Sequence, residues 1–238
     1  VACSTIARPE SNIEKKILTV LGAGSSVGEF FLKSIDKKKY SKIYLIARKQ
    51  SVEKYNKIFS DSVFEIISDQ DNKVTSCYTQ TDVLVNFVSA LAYEEDAIKY
   101  DAIRYIYKMI PKIAKAKIPK VINISSQSVY DQQENIFKSE NAKTITKTSY
   151  AFQKLAIEDF ILSIKEFSVQ SNVISLRLPR ILNTKNLKQI GFFGNIISNY
   201  INGVETFIGN PNNNTNLIEI EDVGSAINFI INNEIIEP

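Results

Sequence analysis

The sequence predicts an α/β protein built as a doubly wound parallel sheet, and three observations carry that prediction. Apolar β-rich runs alternate with longer amphipathic segments, the rhythm of repeated βαβ units. The runs (ILTVL, IYLIA, VLVNFV, VINIS) are nearly continuous, as expected of strands covered on both faces. The first run leads straight into Gly22-Ala23-Gly24-Ser25-Ser26-Val27-Gly28 and then into a helical pattern.

Taken in order, strands are expected over Ile17 to Leu21, Lys42 to Ala47, Val63 to Ile67, Val83 to Val88, Val121 to Ser125 and Asn172 to Leu178. Helices are expected over Val27 to Ile35, Tyr93 to Ala116 and Tyr150 to Phe167. In the second of these, Ile103, Ile106, Tyr107, Ile110, Ile113 and Ala114 keep one apolar stripe, and Pro111 is expected to kink it. Ser68 to Thr81 is polar and reads as too short for a comfortable crossover helix. After Leu178 the pattern becomes irregular, with a helix expected near Phe193 to Asn202 and a loop over Asn210 to Asn216. Residues 1–178 therefore read as the sheet domain, and 179–238 as a small substrate-binding region interleaved with it.

Composition bounds the chemistry. The 238 residues include no His, two Cys, no Trp and one Met. Without His there is no Ser-His-Asp or Cys-His nucleophile system and no His-ligated metal, so any acid or base is Tyr, Lys, Asp, Glu or Cys, and no metal site is expected. A net charge of +3, from 29 basic and 26 acidic side chains, is spread along the chain and argues against a nucleic-acid partner. Cys3 and Cys77 make no disulfide framework and fit a reducing cytosol. No apolar run reaches the ~18 residues needed to cross a bilayer, and the opening VACSTIARPE lacks a signal-peptide core. The expectation is a cytoplasmic protein with no membrane partner. The absent initiator Met points to a processed, renumbered or trimmed chain.

Three of the eight glycines fall within 22–28, at the end of the first strand. Glycines there let the backbone turn sharply and approach a pyrophosphate, while Ser25, Ser26 and Val27 open a helix whose free N–H groups favour an anion. The plain alternative is a tight turn without a ligand. Ser25 and Val27 stand where a further glycine is expected. The second strand ends Ile46-Ala47-Arg48-Lys49, two cations where a carboxylate would hold the ribose hydroxyl of NAD(H). NADP(H) is thus the expected cofactor, with NAD(H) the alternative; a merely solvated strand end is the reading without a ligand.

Tyr150 and Lys154 stand one helical turn apart in Tyr-Ala-Phe-Gln-Lys. A nearby cation favours phenolate and is expected to pull the phenol toward a working proton donor or acceptor. The fifth strand ends in Ser125-Ser126-Gln127-Ser128-Val129-Tyr130, at the carboxyl edge where open α/β sheets bind ligands. By position alone Ser125, Ser126 or Ser128 could meet Tyr150 over one carbonyl oxygen.

With these residues the chain resembles the extended short-chain dehydrogenase/reductase superfamily, in its NAD-dependent epimerase/dehydratase group acting on nucleotide sugars. The carried motifs are the loop 22–28, Asp82 to Ser89, Lys120 to Ser126, Ser128-Val-Tyr130, the Tyr150/Lys154 pair, Leu176-Arg-Leu-Pro179 and Ile218 to Val223. The resemblance implies a Rossmann-type sheet and makes Ser126, four residues before Tyr130, the catalytic serine beside Tyr150 and Lys154. It also places Phe87, Val88, Ser89 and Pro179 beside the cofactor, with Ser128, Arg180 and Asn183 toward substrate. It further implies dimerisation through the helices at 93–116 and 150–167. The chain departs from the family in lacking the acid after the second strand and in having Asp131 where a glycine is usual. The nearest counterpart of the acid after the third strand is Asp69. Gln127 replaces the acid expected of a dehydratase.

The function so implied is NADPH-dependent reduction of a nucleotide-linked keto sugar, such as a 4-keto-6-deoxyhexose. The alternatives are a nucleotide-sugar 4-epimerase with bound NAD and a non-catalytic NADP(H)-binding protein.

Overall fold

Apolar side chains on both sides of each strand demand cover on both faces, and the chain supplies it with helices between strands. The computed structural model describes residues 14–130, 139–184, 192–206 and 216–234. Strands β1 (Lys16–Leu21), β2 (Tyr40–Ala47), β3 (Phe64–Ser68), β4 (Val83–Asn86), β5 (Lys120–Ser126) and β6 (Asn172–Leu178) form one six-stranded sheet in the order β3-β2-β1-β4-β5-β6. All pairings are parallel. The order reverses between β1 and β4, which opens a ligand crevice at their carboxyl ends. Leu21 pairs with both Ile46 and Asn86, so the segments after β1, β2 and β4 emerge side by side. Ser126 emerges on the same edge, paired with Leu178.

Two cores flank the sheet. On one face Leu18, Val20, Leu45 and Val85 meet Phe31 and Leu32 of α1 (Ser26–Ser34), Tyr55 of α2 (Val52–Ile58) and Val223, Ile227 and Ile231 of α8 (Ile220–Asn232). On the other, Leu21, Leu84 and Val121 meet α3 (Lys73–Gln80), α4 (Asp96–Ala116), α5 (Ser149–Leu162) and α6 (Ile164–Phe167) through Tyr78, Ile106, Ile113, Ile157 and Ile164. Each such side chain contributes about 1.5–3 kcal/mol by leaving water. A separate two-stranded pair, β7 (Arg180–Leu182) with β8 (Leu217–Glu219), precedes α8. Lys120 holds the carboxyl end of α8, its Nζ donating to the carbonyls of Ile230 (2.7 Å) and Asn233 (2.7 Å), which satisfies groups that the helix itself leaves open.

The structure departs from the sequence expectations at several points. The crossover at 68–81 does contain a helix, α3: Val74, Cys77 and Tyr78 lie on one buried face, and one short stripe suffices to cover the sheet beside α4. β4 stops at Asn86 rather than Val88, because the Asn86 side chain accepts the Val88 N–H (3.0 Å) and turns the chain off the ladder. α4 begins at Asp96, and Pro111 lies within it on the exposed side without ending it. The segment expected as one helix to Phe167 divides at Ser163 into α5 and α6. α7 (Phe192–Ile201) matches expectation. The expected loop 210–216 lies outside the described residues except for Asn216, as do Cys3 and Asp131. Among the described residues no helix is long and apolar enough to cross a membrane.

Candidate active site

The turn after β1 depends on its glycines. Gly22 has φ +73°, and a Cβ there would stand 2.7 Å from the Val88 nitrogen; the Ser25 N–H donates to the Gly22 carbonyl (3.1 Å) to close the turn. At Gly24 a Cβ would fall 2.6 Å from the Tyr55 hydroxyl, which accepts the Gly24 N–H at 2.7 Å. Ser25 is no defect in the glycine pattern. Its Oγ accepts the Gly28 N–H (3.0 Å) and caps α1. The first-turn N–H groups at Ser26 and Val27 have no acceptor within the helix and carry its positive end. Gly22→Ala combines a left-handed backbone with a main-chain clash and is expected to cost at least about 2 kcal/mol, lowering Tm by roughly 5 °C. An unchanged melting curve would mean that the loop takes another path.

Past the ends of β2 and β3, against α4, lies a cleft of about 330 Å³ lined by Arg48, Asp69, Asp101, Arg104, Tyr105, Lys108 and Met109. The Arg48 guanidinium lies over the Tyr105 ring, 5.4 Å from its centroid. Asp69 directly follows β3, in the place of the acid expected there, and its Oδ1 is buried without a hydrogen-bond partner among the described residues. The two expected cations separate. Arg48 lines the cleft, whereas Lys49 sits exposed in a single 3₁₀ turn and does not.

After β4, Phe87 is buried with its ring 5.6 Å from that of Phe31, and Val88 and Ser89 are half-buried. Beneath them runs a polar ladder the sequence reading missed: Asn86 Nδ2 donates to Asn123 Oδ1 (2.9 Å), and Asn123 Nδ2 donates to Ser175 Oγ (3.2 Å). The available signal was an Asn inside two otherwise apolar strands.

Thr148 caps α5, its Oγ1 accepting the Ala151 N–H at 3.1 Å, and so sets Tyr150 in the first helical turn at the edge of the sheet. Ser126, Tyr150 and Lys154 come together there. The Ser126 hydroxyl hydrogen-bonds with the Tyr150 phenol and accepts the Ser128 N–H (3.2 Å). Lys154 is buried; its Nζ donates to the Ile124 carbonyl at 3.0 Å and stands 5.8 Å from the Tyr150 ring centroid. The hydroxyls of Ser125 and Ser128 are buried with no partner among the described residues.

The ionisation states differ from expectation. Burial pushes the Tyr150 phenol up, the Ser126 hydrogen bond only partly opposing it, so the expected lowering by Lys154 does not prevail. Burial brings Lys154 down to about 8, with Glu158 acting to raise it. At neutral pH the pair is therefore a neutral phenol beside a largely charged, marginally held ammonium.

Farther along α5 another arrangement went unforeseen. Arg177 of β6 binds Glu158 through both carboxylate oxygens (2.8–3.1 Å) and donates to the Tyr130 hydroxyl (2.9 Å), which fixes the segment after Ser126 against α5. Pro179 joins β6 to β7, Arg180 opens β7 and is exposed, and Asn183 follows its end. Among the described residues no cluster of three or more Cys, Asp or Glu could hold a metal ion.

A parallel sheet with a tight glycine turn on its first strand and a Ser/Tyr/Lys set at the same edge defines the short-chain dehydrogenase/reductase class. Residues 18–237 match the profile of the NAD dependent epimerase/dehydratase family; the chain belongs to that family, whose members are enzymes of the extended type of that class. It is similar in fold to a UDP-N-acetylglucosamine 4-epimerase from Methanobrevibacter ruminantium M1 (TM-score 0.70, 19% identity, covering 89% of this chain and 71% of that one). A UDP-glucuronic acid 4-epimerase from Bacillus cereus, solved with UDP-glucuronic acid and NAD, gives 0.71 at 15% identity over 92% and 74%. TunA, an NAD-dependent NDP-hexosamine 5,6-dehydratase of tunicamycin biosynthesis, gives 0.68 at 12% over 92% and 72%. No curated protein sequence matches the chain significantly.

Proposed function

We propose that the protein is an NADPH-dependent reductase of a nucleotide-linked keto sugar, such as a 4-keto-6-deoxyhexose. The observation that carries this reading is a Tyr150 that keeps its proton, hydrogen-bonded to Ser126 beside the Lys154 ammonium. A site so charged donates a proton to a carbonyl oxygen more readily than it removes one from an alcohol.

The residues fit a nicotinamide dinucleotide. Gly22, Gly24 and Gly28 let the turn close tightly against Val88, Tyr55 and Ser25, which brings the first-turn N–H groups of α1 to the sheet edge, and Asp69 Oδ1 is a buried acceptor that a donor such as the adenine amine would satisfy. The loop 22–28 with Ser25, Ser26 and Val27 would hold the pyrophosphate, and Arg48 the 2′-phosphate. Phe87, Val88, Ser89 and Pro179 would flank the nicotinamide half, and Lys154 would bind its ribose. When bound, the nicotinamide ring supplies the hydride. Ser126 orients the substrate carbonyl through a hydrogen bond, and Tyr150 delivers its proton to that oxygen. Lys154 stabilises the phenolate left behind, a role that needs its charge and weakens as pH rises through about 8. Ser128, Arg180 and Asn183 would meet the rest of the substrate, Arg180 as a diphosphate partner.

A second reading, a 4-epimerase that keeps NAD bound, is favoured by the fold likeness to 4-epimerases, one of them solved with NAD. Cofactor choice separates the two. Arg48→Asp is expected to weaken NADPH binding roughly tenfold or more while sparing NADH. Titration of both cofactors checks this, and an NADPH preference unchanged by the substitution would defeat the role given to Arg48.

A further inference from the structure

Between Tyr150 and Lys154 in sequence, three residues after Tyr150 and so beside it on α5, stands Gln153. It is fully buried. Its amide makes two hydrogen bonds to one residue 63 positions away: Oε1 accepts the Ala90 N–H at 2.8 Å and Nε2 donates to the Ala90 carbonyl at 3.2 Å. Ala90 closes the segment 87–90 that follows β4. The same segment is held from below, where Asn86 Oδ1 accepts the Val88 N–H, and from the side, where Gly22 approaches the Val88 nitrogen too closely for any Cβ. Two of these restraints come from the sheet edge and glycine turn. Among the described residues, it is the Gln153 hydrogen bonds that tie the segment to the helix carrying the Tyr and Lys.

We propose that Gln153 is a positioning residue that fixes the cofactor-bearing segment 87–90 at a set distance from Tyr150 and Lys154. The inference rests on the reading of this site as a dinucleotide site. Two paired donors and acceptors on a planar amide fix both distance and orientation, which a single hydrogen bond or an apolar contact does not. The restraint would bear on function because the nicotinamide that 87–90 would flank and the groups on α5 would have to meet at one substrate carbon and its oxygen. An error of about 1 Å between them is costly. Burial makes the pairing specific, since an apolar residue at 153 would leave the Ala90 N–H and C=O without partners.

The test uses the intact chain. Wild type, Gln153→Met, Gln153→Glu and the control Thr19→Val are titrated with NADPH and NADH well below their melting temperatures, and each melting temperature is recorded. Thr19 of β1 shares a buried hydroxyl contact with Thr81 at the end of α3 (2.6 Å), so its loss destabilises the fold without touching the segment 87–90. Gln153→Met is expected to raise the cofactor Kd roughly tenfold beyond Thr19→Val at matched loss of stability. Gln153→Glu, whose fully buried carboxyl keeps its proton, can still accept from the Ala90 N–H and return an O–H to the Ala90 carbonyl with altered geometry, and is expected to fall between wild type and Gln153→Met; it decides the matter alone if Gln153→Met does not fold. Wild type binding neither cofactor would remove the underlying site reading. Normal binding by wild type together with Gln153 variants that bind as Thr19→Val does would overturn the Gln153 role and leave the site reading standing.

Discussion

Tyr150→Phe is expected to lower kcat by about 10³-fold while leaving cofactor affinity within about threefold and the fold intact. The phenol is the group in the site that both keeps its proton at neutral pH and is hydrogen-bonded to a strand-end hydroxyl, so its removal deletes proton delivery without opening a cavity. Ser126 keeps the Ser128 N–H as a partner, which limits the stability cost to about 1 kcal/mol. Steady-state kinetics with a nucleotide-linked keto sugar, alongside NADPH titration of the same preparation, checks the expectation. A kcat within tenfold of wild type would remove Tyr150 from the reaction.

Lys154→Met should separate stability from activity in the opposite direction. Burial lowers this lysine from its ordinary value of 10.5 to about 8. Below pH 8 it is charged in folded and unfolded protein alike, and the folded state bears the full penalty of enclosing that charge. Between about 8 and 10.5 the unfolded chain binds a proton that the native protein does not, so stability rises with pH over that window. Met fills similar space without charge. Set against the lost hydrogen bond to the Ile124 carbonyl, the variant is expected to gain about 1–2 kcal/mol at pH 7 and to lose the rise above pH 8. Activity should fall by at least about 10²-fold, because the phenolate left on Tyr150 loses its stabilising charge. In wild type the same titration predicts a decline in turnover as pH passes about 8. Denaturant unfolding at pH 7 and pH 9.5 for both proteins measures it; a variant less stable than wild type at pH 7 would contradict the cost assigned to the buried ammonium.

These expectations show which physical signals reach the sequence. Continuous apolar runs such as VLVNFV fix strands covered on both faces, and a glycine cluster after the first of them fixes the edge at which ligands bind, since both are local patterns. Ser126, Tyr150 and Lys154 were legible because each is tied to a local landmark: a strand end or one turn of helix. What escaped depends on tertiary neighbours. The Gln153–Ala90 and Arg177–Glu158 pairings join residues whose types carry no periodic signature. Asn86 and Asn123 sit inside runs that read as nearly continuous and apolar, and their side chains form a buried ladder, with Asn86 turning the chain after β4. α3 was missed because only Val74, Cys77 and Tyr78 of its eight residues reach the core. Arg48 and Lys49 are adjacent in sequence and both exposed, and only the tertiary placement of α4 shows that Arg48 is the one that lines the cleft with Tyr105. The direction of the Tyr150 shift was misjudged for a related reason: the pairing with Lys154 is visible in sequence, but burial, the larger influence, is not.

The central claim is that this edge of the sheet transfers hydride between a nicotinamide cofactor and a nucleotide-linked sugar, with Tyr150 handling the proton. The direct measurement incubates the purified protein with NADPH deuterated on the transferring face and a panel of nucleotide-linked 4-keto-6-deoxy sugars, following cofactor absorbance and the mass of the sugar. Oxidation of the cofactor with one deuteron gained per sugar reduced is the predicted result. Retained NAD with redox-neutral sugar interconversion would replace reduction by epimerisation, and a protein that binds neither cofactor would contradict the account of the site altogether.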